Sequence, residues 1–96
     1  MKAAKKIPDH VRRMVWEAYN GYCACEDCLH RAEEVHHVKS NSKANNKKWP
    51  LFMQSPFNLR PICHPCHDSK KIYQFKITDK QAQMYEDYLQ ELKEMG

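Results

Sequence analysis

Two pairs of cysteines constrain the fold of this chain more than any other feature. Cys25 pairs with Cys28 and Cys63 with Cys66; two residues lie inside each pair, and 34 residues separate the pairs. This spacing is typical of structural zinc sites, because one tight turn can present two thiolates to the same ion. The pattern therefore predicts a four-cysteine zinc site that holds the two ends of the intervening segment together.

Because the chain has a fifth cysteine, the identity of one of the four zinc ligands is undecided. Cys23 could replace Cys25, because the four residues between Cys23 and Cys28 also give a spacing found in zinc sites. We expect Cys25 to be the ligand, since it gives the first pair the same spacing as the second.

The size and composition of the chain explain why it would need a metal. With 96 residues, a hydrophobic fraction of 42% and a mean hydropathy of -0.89, it can form one small domain, residues 1–96, with a limited apolar core. No apolar run approaches the roughly 18 residues of a membrane span. The first ten residues lack the apolar region of a secretory signal. We therefore expect a cytoplasmic protein, neither secreted nor membrane-bound, whose cysteines bind metal rather than form disulfides.

Positive charge is concentrated in the part of the chain that contains the second cysteine pair. Residues 39–76 carry eight cationic side chains against Asp68 alone, a net charge of +7. Such a cluster is expected of a protein that binds the phosphate backbone of nucleic acids, with a solvated loop as the alternative interpretation. The candidate DNA contacts are Lys39, Lys43, Lys47, Lys48, Arg60, Lys70 and Lys71.

Hydrophobic periodicity predicts an α+β fold with a helix near each end of the chain. Apolar residues recur at helical spacing in residues 8–19 and 79–95, and Thr78 with Gln81 forms a capping-box pattern before the second helix. Between these helices we predict a strand at 34–38, a long loop at 39–57, a return strand at 58–62 and a short helix at 65–73.

Large apolar side chains outside the cysteine motif are expected to pack in the core. Trp49, Phe52 and Phe57 would anchor the long loop, with stacking on nucleic-acid bases as the alternative. The apolar stripe of the C-terminal helix, which we also assign to core packing, consists of Tyr85, Tyr88, Leu89, Leu92 and Met95.

Two strings that contain histidines resemble a known family. Glu-Val-His-His-Val at 34–38 and Phe-Asn-Leu-Arg-Pro-Ile-Cys-His-Pro-Cys-His at 57–67 are similar to the motif of the HNH endonucleases, and the resemblance covers residues 25–71 closely. All three signature positions are filled, and the optional cysteine pairs of the family are present. The resemblance implies a small ββα-metal finger, stapled by the four-cysteine zinc site and flanked by the two helices.

The resemblance also implies a role for four polar side chains. His37 would be the general base, His36 and His67 would hold a catalytic divalent ion (Mg²⁺, Mn²⁺, Ni²⁺ or Zn²⁺), and Asn58 would brace the loop and orient the base. Some members have a further histidine where this chain has Lys71, so water and a phosphate oxygen would complete the ion's ligands. Imidazole suits both roles, because its pKa of about 6.5 allows it to act as a base and its neutral ring binds transition metals.

Each of these residues has a plainer interpretation when taken alone. Asn58 could be a turn residue, and His36 with His37 an ordinary strand pair. His64 would be a spare zinc ligand or simply solvated. We expect the two remaining histidines, His10 and His30, to lie at the surface.

Together the motifs predict a metal-dependent endonuclease that hydrolyses DNA phosphodiester bonds. Since each chain has one centre, it would nick one strand, and double-strand cleavage would need a homodimer, a protein partner or a second event. The first alternative is a non-catalytic, zinc-stabilised nucleic-acid-binding module, which has no use for His37. The second is a zinc module that binds proteins and has no affinity for DNA.

Overall fold

An antiparallel pair of short strands lies at the centre of the molecule, with helices before, between and after the strands. The computed structural model describes residues 5–96, so the first four residues of the predicted domain lie outside the described range. Within it, the elements are α1 (Asp9–Ala18), β1 (Glu34–His37), α2 (Lys43–Lys48), β2 (Leu59–Ile62), α3 (His64–Asp68) and α4 (Asp79–Met95), with 3-10 turns at Pro56–Asn58 and Lys71–Gln74. The fold is α+β, as predicted.

The two strands pair so that the histidines of β1 lie beside the start of β2. His36 is opposite Arg60, and His37 is opposite Leu59. Leu59 and Ile62 have no exposed surface, so β2 is the buried strand of the pair. Pro61 is tolerated because a two-stranded sheet leaves one edge of each strand without a ladder partner. Cys63 follows β2 directly and precedes α3.

Both predicted terminal helices are confirmed. The α1 helix buries Val11 and Val15, which pack with Leu59 of β2. The α4 helix begins with the predicted capping box, in which the Thr78 hydroxyl accepts from the Gln81 backbone N–H and the Gln81 side chain accepts from the Thr78 N–H.

Three of the predictions for the middle and the C-terminus are wrong in detail. The predicted loop 39–57 contains α2, which begins after Ser42, whose hydroxyl accepts from the Asn45 N–H at 3.1 Å. The predicted helix 65–73 divides into α3 and a 3-10 turn, because Lys70 between them has left-handed backbone (φ 65°). The stripe of α4 is not all core, since Tyr88, Leu92 and Met95 are 51%, 45% and 79% exposed.

The segment between α2 and β2 is attached to α4 by a buried carboxylate. Glu86, only 3% exposed, accepts hydrogen bonds from the backbone N–H groups of Leu51 and Phe52 at 2.9 and 2.8 Å. Trp49 and Phe52 are themselves buried, which confirms that they anchor this segment rather than present rings to bases. Phe57 stacks on Tyr85 with their ring centroids 4.5 Å apart. No helix within residues 5–96 has the length and apolarity that crossing a bilayer would require.

Candidate functional site

Four thiols from the two ends of the motif meet at one point. The Sγ atoms of Cys23, Cys28, Cys63 and Cys66 all lie within 4.8 Å of one another. The Sγ of Cys28 is 3.7 Å from that of Cys63 and 3.5 Å from that of Cys66. Tetrahedral zinc with Zn–S bonds of about 2.3 Å places its sulfur ligands about 3.8 Å apart. These four thiols, which we call the cysteine cluster, could therefore hold a structural metal such as zinc.

The cluster uses the alternative cysteine, which corrects the expectation for Cys25. A backbone hydrogen bond from Cys23 N–H to His30 C=O (2.9 Å) folds residues 23–30 into a closed loop that brings Cys23 towards Cys28. Cys25 lies inside this loop, where its carbonyl accepts from the Cys28 N–H. Cys25 is buried, but it is not part of the group of four.

The surroundings of the thiols favour Cys23 as a thiolate. Burial acts to raise its pKa, but hydrogen bonds from the backbone of Cys25 and Cys63, together with those of the Cys66 and Cys25 thiols, outweigh burial and lower the pKa to about 7. Burial raises the pKa of Cys25 to about 11, so this thiol keeps its proton near neutral pH. Burial also raises the pKa of Cys63 and Cys66, so metal binding there would release protons.

The ligand assignment can be tested with cobalt, whose thiolate complexes absorb light. We expect Cys23→Ser to lose the tetrahedral Co²⁺ spectrum or to bind Co²⁺ much more weakly, because one of four thiolates is gone. Cys25→Ser is the matched control and should keep the spectrum and the affinity of the natural sequence. The opposite result, with only Cys25→Ser impaired, would restore Cys25 as the ligand.

The Glu34 carboxylate of β1 lies beside two imidazoles of α3, those of His64 and His67. His67 of α3 is half exposed, and its Nε2 is 3.9 Å from Oε1 of Glu34. The other oxygen of Glu34 is 3.3 Å from Nε2 of His64. Burial lowers the pKa of His36, and the nearby imidazoles of His37 and His67 lower it further. The rings of His36, His64 and His67 are therefore each close to another side chain that could bind the same cation.

The ligating atoms of His36, His67 and Glu34 are less closely grouped than the thiols of the cysteine cluster. In the part of the chain that the structure describes, only the cysteine cluster brings three or more metal-ligating side chains within 4.8 Å of one another. The side chains of His67 and Glu34 are 51% and 40% exposed, so both can rotate towards a shared ion.

His37 has different neighbours from His36, as expected for adjacent residues of an extended strand. Its Nε2 is 2.9 Å from Oε1 of Gln54. Burial lowers the pKa of His37, the hydrogen bond to Gln54 partly opposes this, and the charge of Arg12 adds to the lowering. The ring is therefore neutral near pH 7, the state in which an imidazole can accept a proton.

Asn58 fixes the backbone immediately after the histidine pair. Its side chain has no exposed surface; Oδ1 accepts from the Lys39 N–H at 2.7 Å, and Nδ2 donates to the carbonyls of Lys39 (3.2 Å) and Met53 (3.1 Å). The carbonyl of Asn58 accepts from the Val38 N–H at 2.8 Å. Asn58 therefore holds together the end of β1 and the segment that leads into β2, which is more than a turn residue does.

Three of the seven predicted basic contacts are partly engaged within the chain, among them Lys48, whose Nζ lies 4.9 Å from the centroid of the Trp49 ring. Lys39 is half-buried, forms an ion pair with Asp79 and lies over the Trp49 ring at 5.3 Å. Arg60 donates from Nη1 to the carbonyls of Phe57 and Leu59 at 3.1 and 2.8 Å, which leaves its other N–H groups available. The exposed members are Lys43, Lys47, Lys48, Lys70 and Lys71.

No family model, curated protein or solved structure matches the chain. A function must therefore be inferred from the side chains described above.

Three neighbours of these side chains were not foreseen from the sequence: Glu34, Gln54 and His30. His30 is exposed, as expected, but its Nδ1 also lies 3.7 Å from the Cys28 thiol. Glu34 could have been noticed, since it precedes His36 by two residues and so shares its face of the strand.

Proposed function

We propose that the protein is a metal-dependent endonuclease that hydrolyses DNA phosphodiester bonds, with His37 as general base. The observation that carries this proposal is the buried Asn58, which holds the backbone directly after the His36–His37 pair. A general base must be held in place to within a fraction of an ångström, and a fully buried amide with three hydrogen bonds supplies that rigidity. In this proposal β1, β2 and α3 form a ββα-metal finger stapled by zinc at the cysteine cluster.

The reaction would begin with proton transfer to His37. Its neutral ring takes a proton from water, the resulting hydroxide forms a bond to phosphorus, and the bond from phosphorus to the 3′ oxygen breaks. The 3′ oxygen takes a proton from solvent, which leaves 5′-phosphate and 3′-hydroxyl ends. The divalent ion, when bound, supplies positive charge next to the phosphoryl and leaving oxygens. His36 and His67 would hold it, with the Glu34 carboxylate within reach.

The donor set fits several candidate ions. Neutral imidazole suits Ni²⁺ and Zn²⁺, whereas a carboxylate with water suits Mg²⁺ and Mn²⁺. The proposal therefore keeps all four ions and predicts that each would bind at the same three side chains.

The charge distribution supports DNA as the substrate. The five exposed lysines come from α2 and from the residues that follow α3, on either side of β2 in the chain. Binding to phosphates through lysines releases counterions, so affinity should fall steeply as salt rises. A single chain has one such centre and would nick one strand; a homodimer or a protein partner would be needed to cut both.

The alternative of a non-catalytic nucleic-acid-binding module has one observation in its favour. Within the described residues, the ligating atoms of the histidines and Glu34 do not gather within 4.8 Å of one another as a group of three or more, whereas the thiols of the cysteine cluster do. Such a module would keep the cysteine cluster and the exposed lysines, and it would bind DNA without cleaving it.

Nicking of supercoiled plasmid by the zinc-loaded protein tests the proposal. We expect relaxed circles to accumulate when Mg²⁺, Mn²⁺, Ni²⁺ or additional Zn²⁺ is supplied, and not without an added ion. Salt-dependent DNA binding with no nicking under any ion would favour the non-catalytic module. Absence of DNA binding would favour a module that binds proteins.

A further inference from the structure

Gln54 lies between the candidate base and a network of two asparagines. Its Oε1 is 2.9 Å from Nε2 of His37, and its Nε2 donates to Oδ1 of Asn41 at 2.8 Å and to Oδ1 of Asn46 at 3.0 Å. Asn46 is on α2 and only 4% exposed. The network therefore connects the lysine-bearing helix α2 to the last residue of β1.

Backbone carbonyls determine which way each amide of this network points. Asn46 donates from Nδ2 to the carbonyl of Ser42 at 2.8 Å, and Asn41 donates from Nδ2 to the carbonyl of Lys5 at 2.7 Å. A carbonyl oxygen can only accept, so each asparagine must present its own oxygen to Gln54. Gln54 must then direct its NH₂ group to the asparagines and its oxygen to His37.

This polarity determines the tautomer of His37. An amide oxygen can only accept, so Nε2 of His37 must carry the hydrogen in their shared hydrogen bond. In a neutral imidazole the other nitrogen then has the lone pair. Within residues 5–96 no hydrogen bond reaches Nδ1, and no fully buried side-chain nitrogen or oxygen lacks a partner. Nδ1 of His37 therefore keeps some exposed surface.

We infer that Gln54 is a positioning residue that holds His37 as the Nε2–H tautomer, so that Nδ1 is the atom that takes the proton from water. This inference rests on the proposed function for its catalytic meaning. When Nδ1 gains the proton, the ring becomes an imidazolium, and the Gln54 oxygen continues to accept from Nε2–H. The acceptor thus serves the ring before and after proton transfer, with no rearrangement of the amide.

The tautomer can be measured without DNA, activity or a catalytic ion. Long-range ¹H–¹⁵N spectra of the zinc-loaded protein at neutral pH distinguish the protonated from the unprotonated ring nitrogen. We expect His37 to show a protonated Nε2 and an unprotonated Nδ1. A protonated Nδ1 would overturn the inference, and this result requires no variant to fold.

Gln54→Met tests the effect on the reaction, because methionine has a similar length and cannot accept from Nε2–H. We expect a mixed tautomer population at His37 and a nicking rate lower by about 10–100-fold, with little change in affinity for DNA. The control is Glu94→Met, which places the same new side chain at an exposed position in the last turn of α4, where the natural side chain makes none of the hydrogen bonds of the network or of the Glu86 anchor. Its rate and His37 spectrum should be those of the natural sequence.

The outcomes separate this inference from the proposed function. If Gln54→Met keeps both the tautomer and the rate, Gln54 has no positioning role and the inference fails while the nuclease proposal stands. If the natural sequence shows the expected tautomer but nicks no DNA with any ion, the proposed function fails and the structural part of the inference remains.

Discussion

Replacing His37 with alanine should lower the rate of plasmid nicking by about 10²–10⁴-fold, the usual cost of removing a general base. The expected loss is large because alanine leaves no group that can take the proton from water. DNA binding should change little, since the exposed lysines and the cysteine cluster are untouched. The measurement is the rate of conversion of supercoiled to relaxed plasmid at saturating protein, with binding measured separately by fluorescence anisotropy.

His10→Ala is the matched control for this variant. His10 is an exposed histidine on α1, so its removal should leave the nicking rate within about twofold of the natural sequence, as expected for a surface change. Circular dichroism should show that both variants keep their helices, because His37 is only half-buried and its neighbour Gln54 can bond to water. Equal nicking by His37→Ala and the natural sequence would remove His37 from the proposed role.

Local signals were sufficient for the elements whose stability comes from their own sequence. The capping box at Thr78 and the spacing of Val11 and Val15 predict α4 and α1 nearly to the residue. The helix α2 was missed because its sequence, Lys-Ala-Asn-Asn-Lys-Lys, has no apolar stripe. Its only local signal is the N-cap Ser42, and the buried Asn46 replaces an apolar anchor with hydrogen bonds that form only in the folded chain.

The exposed part of the α4 stripe shows a different limit. Periodicity indicates which residues share a face, but not whether another element covers that face. Ala82 and Glu86 are buried against the segment between α2 and β2, whereas the last turns of the helix have no neighbour in residues 5–96 that buries Leu92 or Met95. A helical repeat of apolar residues cannot distinguish these two cases.

The choice between Cys23 and Cys25 could not be made from spacing, since both spacings occur in zinc sites. It depends on the closed loop set by the hydrogen bond from Cys23 N–H to His30 C=O, and on the left-handed backbone of Asp27 at φ 60°.

The role of Gln54 could not be predicted from the sequence for a similar reason. Its contact with His37 exists only because Asn58 and the anchor at Glu86 fix the path of the segment that carries it.

Removing the zinc ion that we propose for the cysteine cluster should unfold most of the chain. Structural zinc contributes about 10–16 kcal/mol of apparent binding free energy in zinc-finger peptides near neutral pH, as much as the whole stability of a typical domain. A two-stranded sheet is marginal on its own, and the strands here have four residues each. We expect a strong chelator to abolish the cooperative thermal transition and to reduce helical circular dichroism, with recovery when zinc is returned.

The loss should extend beyond the cysteine cluster because β2 contributes residues to two separate hydrophobic clusters of the core. Ile62, at one end of β2, packs with the cluster thiols, and Leu59, at the other end, packs with Val11 and Val15 of α1. Freeing Cys63 and Cys66 would release the C-terminal end of β2 and with it the surface on which α1 rests. Cys25→Ser should show the same chelator sensitivity as the natural sequence, since Cys25 is outside the cluster. A protein shown by elemental analysis to be metal-free, yet melting at the same temperature as the zinc-loaded form, would mean that the thiols pack as an ordinary core and that the fold does not depend on metal.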